Sequence, residues 1–238
     1  MATLLATIQE VCRRQGIDVP ATIFGSTDRQ VVQLYTLLQE GLDDLSGRGV
    51  WEELTFEASW TTTNTEDQGA LATRADKGLR WLLPQTFWDR TEKLPLLGPL
   101  DAQDWQALKA IVITGPRYSF RIRQGRIIVT PAPPAGHTWV FEYVATSYLT
   151  DAGGTIYKKR FTADTDLILL PDDIVQMDLR WRWKKEKGLS YAEDFKSAER
   201  LINDAVGRSG SKPILWMDMR NQSPQPGVFI PAGNWMQP

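Results

Sequence analysis

An α+β fold follows from three features of this sequence. Apolar residues recur at helical spacing near both ends of the chain, and they alternate at period two through its middle. A proline-rich segment studded with large apolar side chains closes the C-terminus. Together these predict a four-helix bundle from both chain ends (residues 1–50 plus 171–210), an inserted antiparallel β domain (51–170) and an extended C-terminal arm (211–238).

The first helix is expected over residues 3 to 15. Leu4, Ile8, Val11 and Gln15 mark one stripe, with Leu5 and Cys12 beside it; Gly16 and Pro20 end it. Cys12 is expected to be a small buried hydrophobe, the usual fate of a free cysteine. Thr27 and Gln30 have the spacing of a capping box. The helix they start carries Val31, Leu34, Tyr35, Leu38, Leu42 and Leu45 and runs to about Gly47.

The period then changes. Leu54, Phe56, Ala58 and Trp60 alternate with polar residues, which predicts a half-buried strand. Between 62 and 100 no clear period emerges, and TTTNTEDQGALATRADKG (61–78) is polar and predicted to be loop-rich. Asp101 and Asp104 open a short helix with Trp105 and Leu108. Tyr118 to Arg123 and Arg126 to Thr130, joined at Gln124-Gly125, predict a hairpin. Thr138 to Tyr148 is apolar on both faces, which predicts a central strand. Asp166 to Leu170 is a further short strand.

Pro171 to Gly207 predicts two helices folded back at Gly188. Asp172 and Asp173 suit the N-terminal end of a helix, and Lys184, Lys185 and Lys187 suit the C-terminal end. Ser190 and Glu193 have capping-box spacing. Tyr191, Phe195, Ala198, Ile202 and Ala205 predict one buried stripe. Residues 211 to 238 hold five prolines and three charged residues, with Trp216, Phe229, Ile230 and Trp235 as large apolar anchors. A solvated tail is usually charged and poor in aromatics. This arm is therefore expected to lie against a surface, either wrapping its own domain or, the favoured reading, reaching into a neighbouring chain.

Bulk composition excludes several classes. Hydrophobic residues make up 42% and charged residues 24% of the 238, an ordinary globular profile. A net charge of −2 gives no global pull toward nucleic acid or an anionic membrane. One cysteine excludes an internal disulfide and a cysteine-based zinc site. The N-terminus has no basic region before its apolar residues, so no signal peptide is expected there. No apolar run approaches the roughly 20 residues that span a bilayer, so no membrane partner is expected.

No catalytic signature emerges. The single histidine, His137, sits in a proline-rich turn and is expected to be solvated. Glycine-rich phosphate loops and G-x-S-x-G are missing, and no cofactor or metal is expected. Asp164 and Asp166 have D-x-D spacing, read as a turn before a strand. Arg180, Arg182, Lys184, Lys185 and Lys187 interleave with Trp181 and Trp183, a pattern that suits nucleic acid. The favoured reading is structural, with tryptophans packed and charges solvated.

Two segments carry a resemblance. YSFRIRQGRIIVTPAPPAGHTWVFEYVATSYL and LRWRWKKEKGLSYAEDFKSAERLI, with the opening IQEVCRRQGI, resemble the head-to-tail adaptors of short-tailed bacteriophages, relatives of the tail tubular protein A family. The similarity covers roughly residues 3–50 and 118–205. It implies a helical bundle with an inserted β domain and no enzymatic activity. It implies a virion protein of the tail neck, assembled in the host cytoplasm into a dodecameric ring docked on the portal protein. Such a ring extends the DNA channel, touches the genome in its lumen during ejection and seats the tail nozzle protein. The resemblance implies a portal-binding arm, for which Trp216, Phe229, Ile230 and Trp235 are candidate anchors. Glu40, Asp43 and Asp44 are candidate channel-facing acids, with a solvated helix face as the plainer reading. A virion-associated glycan or peptidoglycan hydrolase, and a nucleic-acid binder using Arg180 to Lys187, remain as alternatives.

Overall fold

The computed structural model describes residues 1–110 and 117–209. The described chain is α+β, with six α-helices and antiparallel sheets. The first half of the order is α1 (Leu4–Gln15), α2 (Arg29–Leu45), β1 (Thr55–Thr61), β2 (Asp67–Ala70), α3 (Leu71–Arg74), β3 (Leu79–Leu82), β4 (Trp88–Asp89), β5 (Leu94–Pro95) and α4 (Ala102–Lys109). Then follow β6 (Ser119–Arg123), β7 (Arg126–Thr130), β8 (Thr138–Ala145), β9 (Leu149–Thr150), β10 (Tyr157–Lys158), β11 (Leu167–Ile168), α5 (Asp172–Glu186) and α6 (Ala192–Ser209). The chain forms two compact units. One holds residues 1–58, 70–84 and 141–209; the other holds 59–69, 85–110 and 117–140. Among the described residues no helix is long and apolar enough to cross a membrane.

The first unit is organised on α5, which packs against α1, α2 and α6. The Thr3 hydroxyl caps α1 by accepting from the Ala6 N–H, and Leu4, Ile8, Val11 and Cys12 are buried as the stripe predicts. The cap of α2 is a correction. Asp28, not Thr27, occupies the N-cap and accepts from the Gln30 N–H at 2.8 Å. A carboxylate one residue later satisfies the orphan donor and opposes the positive helix end as well. Leu34, Leu38, Leu42 and Leu45 then bury with Ile174, Val175 and Leu179 of α5 and Ile202 of α6. α5 ends at Lys187, and Gly188 takes the left-handed φ of 68° that lets the chain reverse. α6 starts at Ala192, because its first bond runs from the Phe195 N–H to the Tyr191 carbonyl. Ser190 therefore lies outside the cap it was expected to make.

One close approach fixes α2 on α5. Asp178 is 2% exposed, and its two oxygens accept from the Trp181 indole (2.9 Å) and the Arg182 Nε (2.7 Å). Gly41 faces it from the middle of α2. A β-carbon there would lie 2.3 Å from Asp178 Oδ2, inside any allowed contact. Mid-helix glycine costs about 1 kcal/mol against alanine. The sequence keeps it because a carboxylate occupies the space that a methyl group needs.

The strands of this unit complete the same core. The second half of β8 pairs antiparallel with β3, with Leu82 opposite Tyr143 and a bulge between Leu79 and Trp81. β9 is flanked by β10 and β11. The strand expected over 166–170 shortens to Leu167–Ile168. Asp166 turns its carboxylate onto Lys158 and onto the Thr162 and Ala163 N–H groups instead.

In the second unit the expected hairpin forms with Arg123 opposite Arg126 and Phe120 opposite Val129, and β2 adds along β7. The first half of β8 pairs with β4, which pairs with β5. An aromatic core holds these together: Phe87 on Phe120 at 4.3 Å, Trp60 edge-on to Trp139 at 6.0 Å, and Tyr118 on Trp139 at 5.5 Å. The expectation of a loop-rich 61–78 is corrected, since β2 and α3 lie there, and β3 to β5 follow before residue 100. Strands of two to four residues are too short to show alternation, and β3 and β4 take their partner from β8, far along the chain.

Gly41→Ala is expected to cost about 1–3 kcal/mol in urea unfolding, against the gain that helix propensity alone assigns it. In an Asp178→Ala background the same change is expected to become neutral or stabilising, because the obstructing carboxylate is gone. Equal effects in both backgrounds would remove the carboxylate from the explanation.

Candidate functional site

The basic and aromatic residues of α5 resolve into two sets. Trp181 and Trp183 are buried. Arg180 and Lys184 both pair with Asp194 of α6, and Arg182 pairs with Asp178 and with Asp44 of α2. Three of the five cations thus meet carboxylates of their own chain. Lys185 and Lys187 remain exposed and lie over the Trp181 and Trp183 rings at 5.9 and 4.3 Å. A phosphate-binding track needs unpaired cations in a row. Here most of the row is spent on joining α5 to α2 and α6.

The turn between α5 and α6 is different in character. Leu189, Tyr191 and Phe195 are 53%, 39% and 37% exposed. Tyr191 and Phe195 lean on Trp181 with ring centroids 6.4 and 5.1 Å away. This corrects the expected stripe: Ala198 and Ile202 are buried, but its first two members stand half in solvent. The helical face continues past the core that covers it. What results is an exposed apolar set at the turn, with Tyr191 and Phe195 resting on Trp181 and Lys185 over the same ring. A second, smaller set on the first unit comprises Val19, Phe24 and Val32, with Phe24 edge-on to Tyr35 at 5.7 Å.

The three candidate acids of α2 separate. Glu40 is exposed. Asp43 accepts from the buried Tyr148 hydroxyl at 2.8 Å and pairs with Lys159 and Arg160. Gln39 donates to the same hydroxyl, and burial together with Asp43 pushes the Tyr148 phenol well above its ordinary pKa. Asp44 pairs with Arg48 and Arg182. Asp43 and Asp44 are thus partly neutralised by their own chain, and Glu40 carries the exposed charge.

His137 is a correction too. Its side chain is 13% exposed, not solvated. Nδ1 lies 2.8 Å from Asp89 Oδ2, and Asp89 Oδ1 accepts from the Thr91 and Glu92 N–H groups. Asp89 is fully buried. Burial opposes its charge, but the bonds from His137 and those backbone groups outweigh burial and hold the carboxyl below its ordinary range. The pair stands 48 residues apart in sequence, which is why no linear spacing announced it. Its geometry suits a turn clamp: the His137 N–H also donates to Thr62, and the Thr62 hydroxyl donates to the Pro134 carbonyl.

Asp164 and Asp166 likewise serve the backbone. Asp164 accepts from the Ile23 and Phe24 N–H groups, which ties the α1–α2 connection to the turn before β11. Cys12 is buried, and burial raises its thiol pKa, so it is a core residue. Among the described residues no group of three or more His, Cys, Asp or Glu is placed to hold a metal ion. Trp216, Phe229, Ile230 and Trp235 lie outside the described residues.

A carboxyl depressed in the fold stabilises it above the unfolded pKa near 3.9, and that stabilisation is lost as pH falls through the depressed native value. Asp89→Asn is therefore expected to cost about 1–3 kcal/mol at pH 7 and to flatten the acid limb of stability below about pH 4. Urea unfolding at a series of pH values reads both. An unchanged acid limb would show that Asp89 titrates alike in the folded and unfolded chains.

No protein-family model matches the chain, and a search of curated proteins finds no relative.

Proposed function

We propose that this protein is a structural subunit of a phage head-to-tail adaptor, which assembles with copies of itself into a ring docked on the portal, extends the DNA channel and seats the tail nozzle. The observation that carries this reading is the apolar patch at the α5–α6 turn, Leu189, Tyr191 and Phe195, which the described fold leaves in solvent. A ring subunit shows one surface to its left neighbour and another to its right, so it needs apolar surface beyond its own core. The smaller set at Val19, Phe24 and Val32 supplies a second, non-identical surface of the kind a heterologous contact uses. The packing of α1, α2 and α6 on α5 supports the bundle from both chain ends that the resemblance implies. On this reading the arm anchors the ring to the portal through Trp216, Phe229, Ile230 and Trp235. Of the three acids, Glu40 is the best placed to face passing DNA, because Asp43 and Asp44 are paired.

The test is to mix the protein with the portal protein of the same virion, with and without residues 211–238, and to image the product. The expected result is a ring added to the portal and lost on removing the arm. A ring that survives the deletion keeps the adaptor and moves the contact to the helices. No association in either case sinks the proposal. Tyr191→Ser with Phe195→Ser is expected to abolish ring closure while shifting the melting temperature little, since both side chains are already more than a third exposed. Rings formed normally by that variant would exclude the patch as the subunit contact.

A further inference from the structure

The β6–β7 hairpin has two unlike faces. Phe120, Ile127 and Val129 are fully buried on one. Arg121, Arg123 and Arg126 lie on the other, because Arg123 pairs across from Arg126 and Arg121 alternates with Phe120 along its strand. Four arginines and no carboxylate occur between residues 117 and 141, in a chain whose net charge is −2. Two like charges directly opposite destabilise a ladder. Among the described residues a single carboxylate, Asp67 of β2, is bonded to this face, and it accepts from Arg126 Nε at 2.8 Å. Arg123 is exposed and Arg121 half-exposed.

The shape matters as much as the charge. Gln124 and Gly125 both take positive φ, 53° and 70°, the tight turn that continues the twist of the strands and keeps the tip stiff. Among the described residues the strip bonded to the outer edge of β6 reaches Phe120: the Leu97 N–H donates to Tyr118, the Phe120 N–H to Leu97 and the Leu100 N–H to Phe120. β2 lies along the other strand, β7, so the arginines sit on the face of a three-stranded sheet near its turn.

We propose that this arginine face of the β6–β7 hairpin binds the phosphodiester backbone of duplex DNA. Guanidinium groups match phosphate oxygens in pairs. The tip residues 121–126 include no aromatic side chain, whereas protein interfaces centre on aromatic anchors. Backbone binding needs charge and shape alone. The inference goes beyond the adaptor reading and does not require ring formation.

Fluorescence anisotropy of the full-length protein with a short mixed-sequence duplex tests it. Neutralising three phosphates makes the affinity fall about 40-fold between 50 and 200 mM salt. Arg121→Gln with Arg123→Gln is expected to bind more weakly and to fall only about 3- to 4-fold over the same range, with its melting temperature unchanged. Lys185→Gln with Lys187→Gln, on α5, is expected to keep the full salt dependence. No binding at 50 mM salt overturns the proposal. So does a full salt dependence in the double arginine variant, or its loss in the lysine variant. Preference for polyglutamate over DNA, lost in the arginine variant, replaces DNA with an acidic protein partner and likewise overturns it.

Discussion

The first unit depends on the contact between Gly41 of α2 and the buried carboxylate of Asp178 on α5. It accepts a bare backbone in mid-helix and a charge under the surface, both unfavourable alone. Burial raises the Asp178 pKa even with Arg182 beside it, so the charged pair is held at some cost to stability. What the arrangement secures is register. Asp178 positions Arg182, Arg182 reaches Asp44, and Asp44 also holds Arg48, which pairs with Glu199 of α6. A chain of alternating charges therefore links α5 to α2 and α2 to α6. Apolar burial alone tolerates sliding of one helix on another. A carboxylate seated against one glycine does not.

The second unit solves a different problem. Its strands are short, and the loop from Pro131 to His137 must be held where β8 begins. Buried Asp89 fastens the turn after β4 through two backbone N–H groups and grips His137 with its other oxygen. The aromatic pairs around Trp139 fill the volume that such short strands cannot close by pairing alone.

Charge is used in two ways along this chain. On α5 most cations meet a carboxylate of their own chain, so a run that suits nucleic acid becomes internal bracing. On the β6–β7 hairpin the arginines outnumber their acid. Local sequence is equally basic in both places. The difference lies in what the fold brings opposite among the described residues: Asp178, Asp194 and Asp44 for the helix, and Asp67 for the hairpin.

Sequence by itself determined the elements whose signal is local. The stripes of α1 and α2, the reversal at Gly188, the Gln124-Gly125 hairpin and the two-faced strand at 138–145 each follow from a repeat of 2 or 3.6 residues or from a turn residue's allowed φ. Cys12 in the core and Asp164 in a turn were legible for the same reason. Tertiary structure decided whatever depends on a partner distant in the chain. Of the short strands of 62–100, β2 takes its edge from β7 and β3 and β4 take theirs from β8. His137 is mostly withdrawn from solvent because Asp89, remote in sequence, folds against it. Tyr191 and Phe195 share a helical face with Ile202, yet only Ile202 is covered, because periodicity states which residues share a face and never how far the neighbouring helix extends along it.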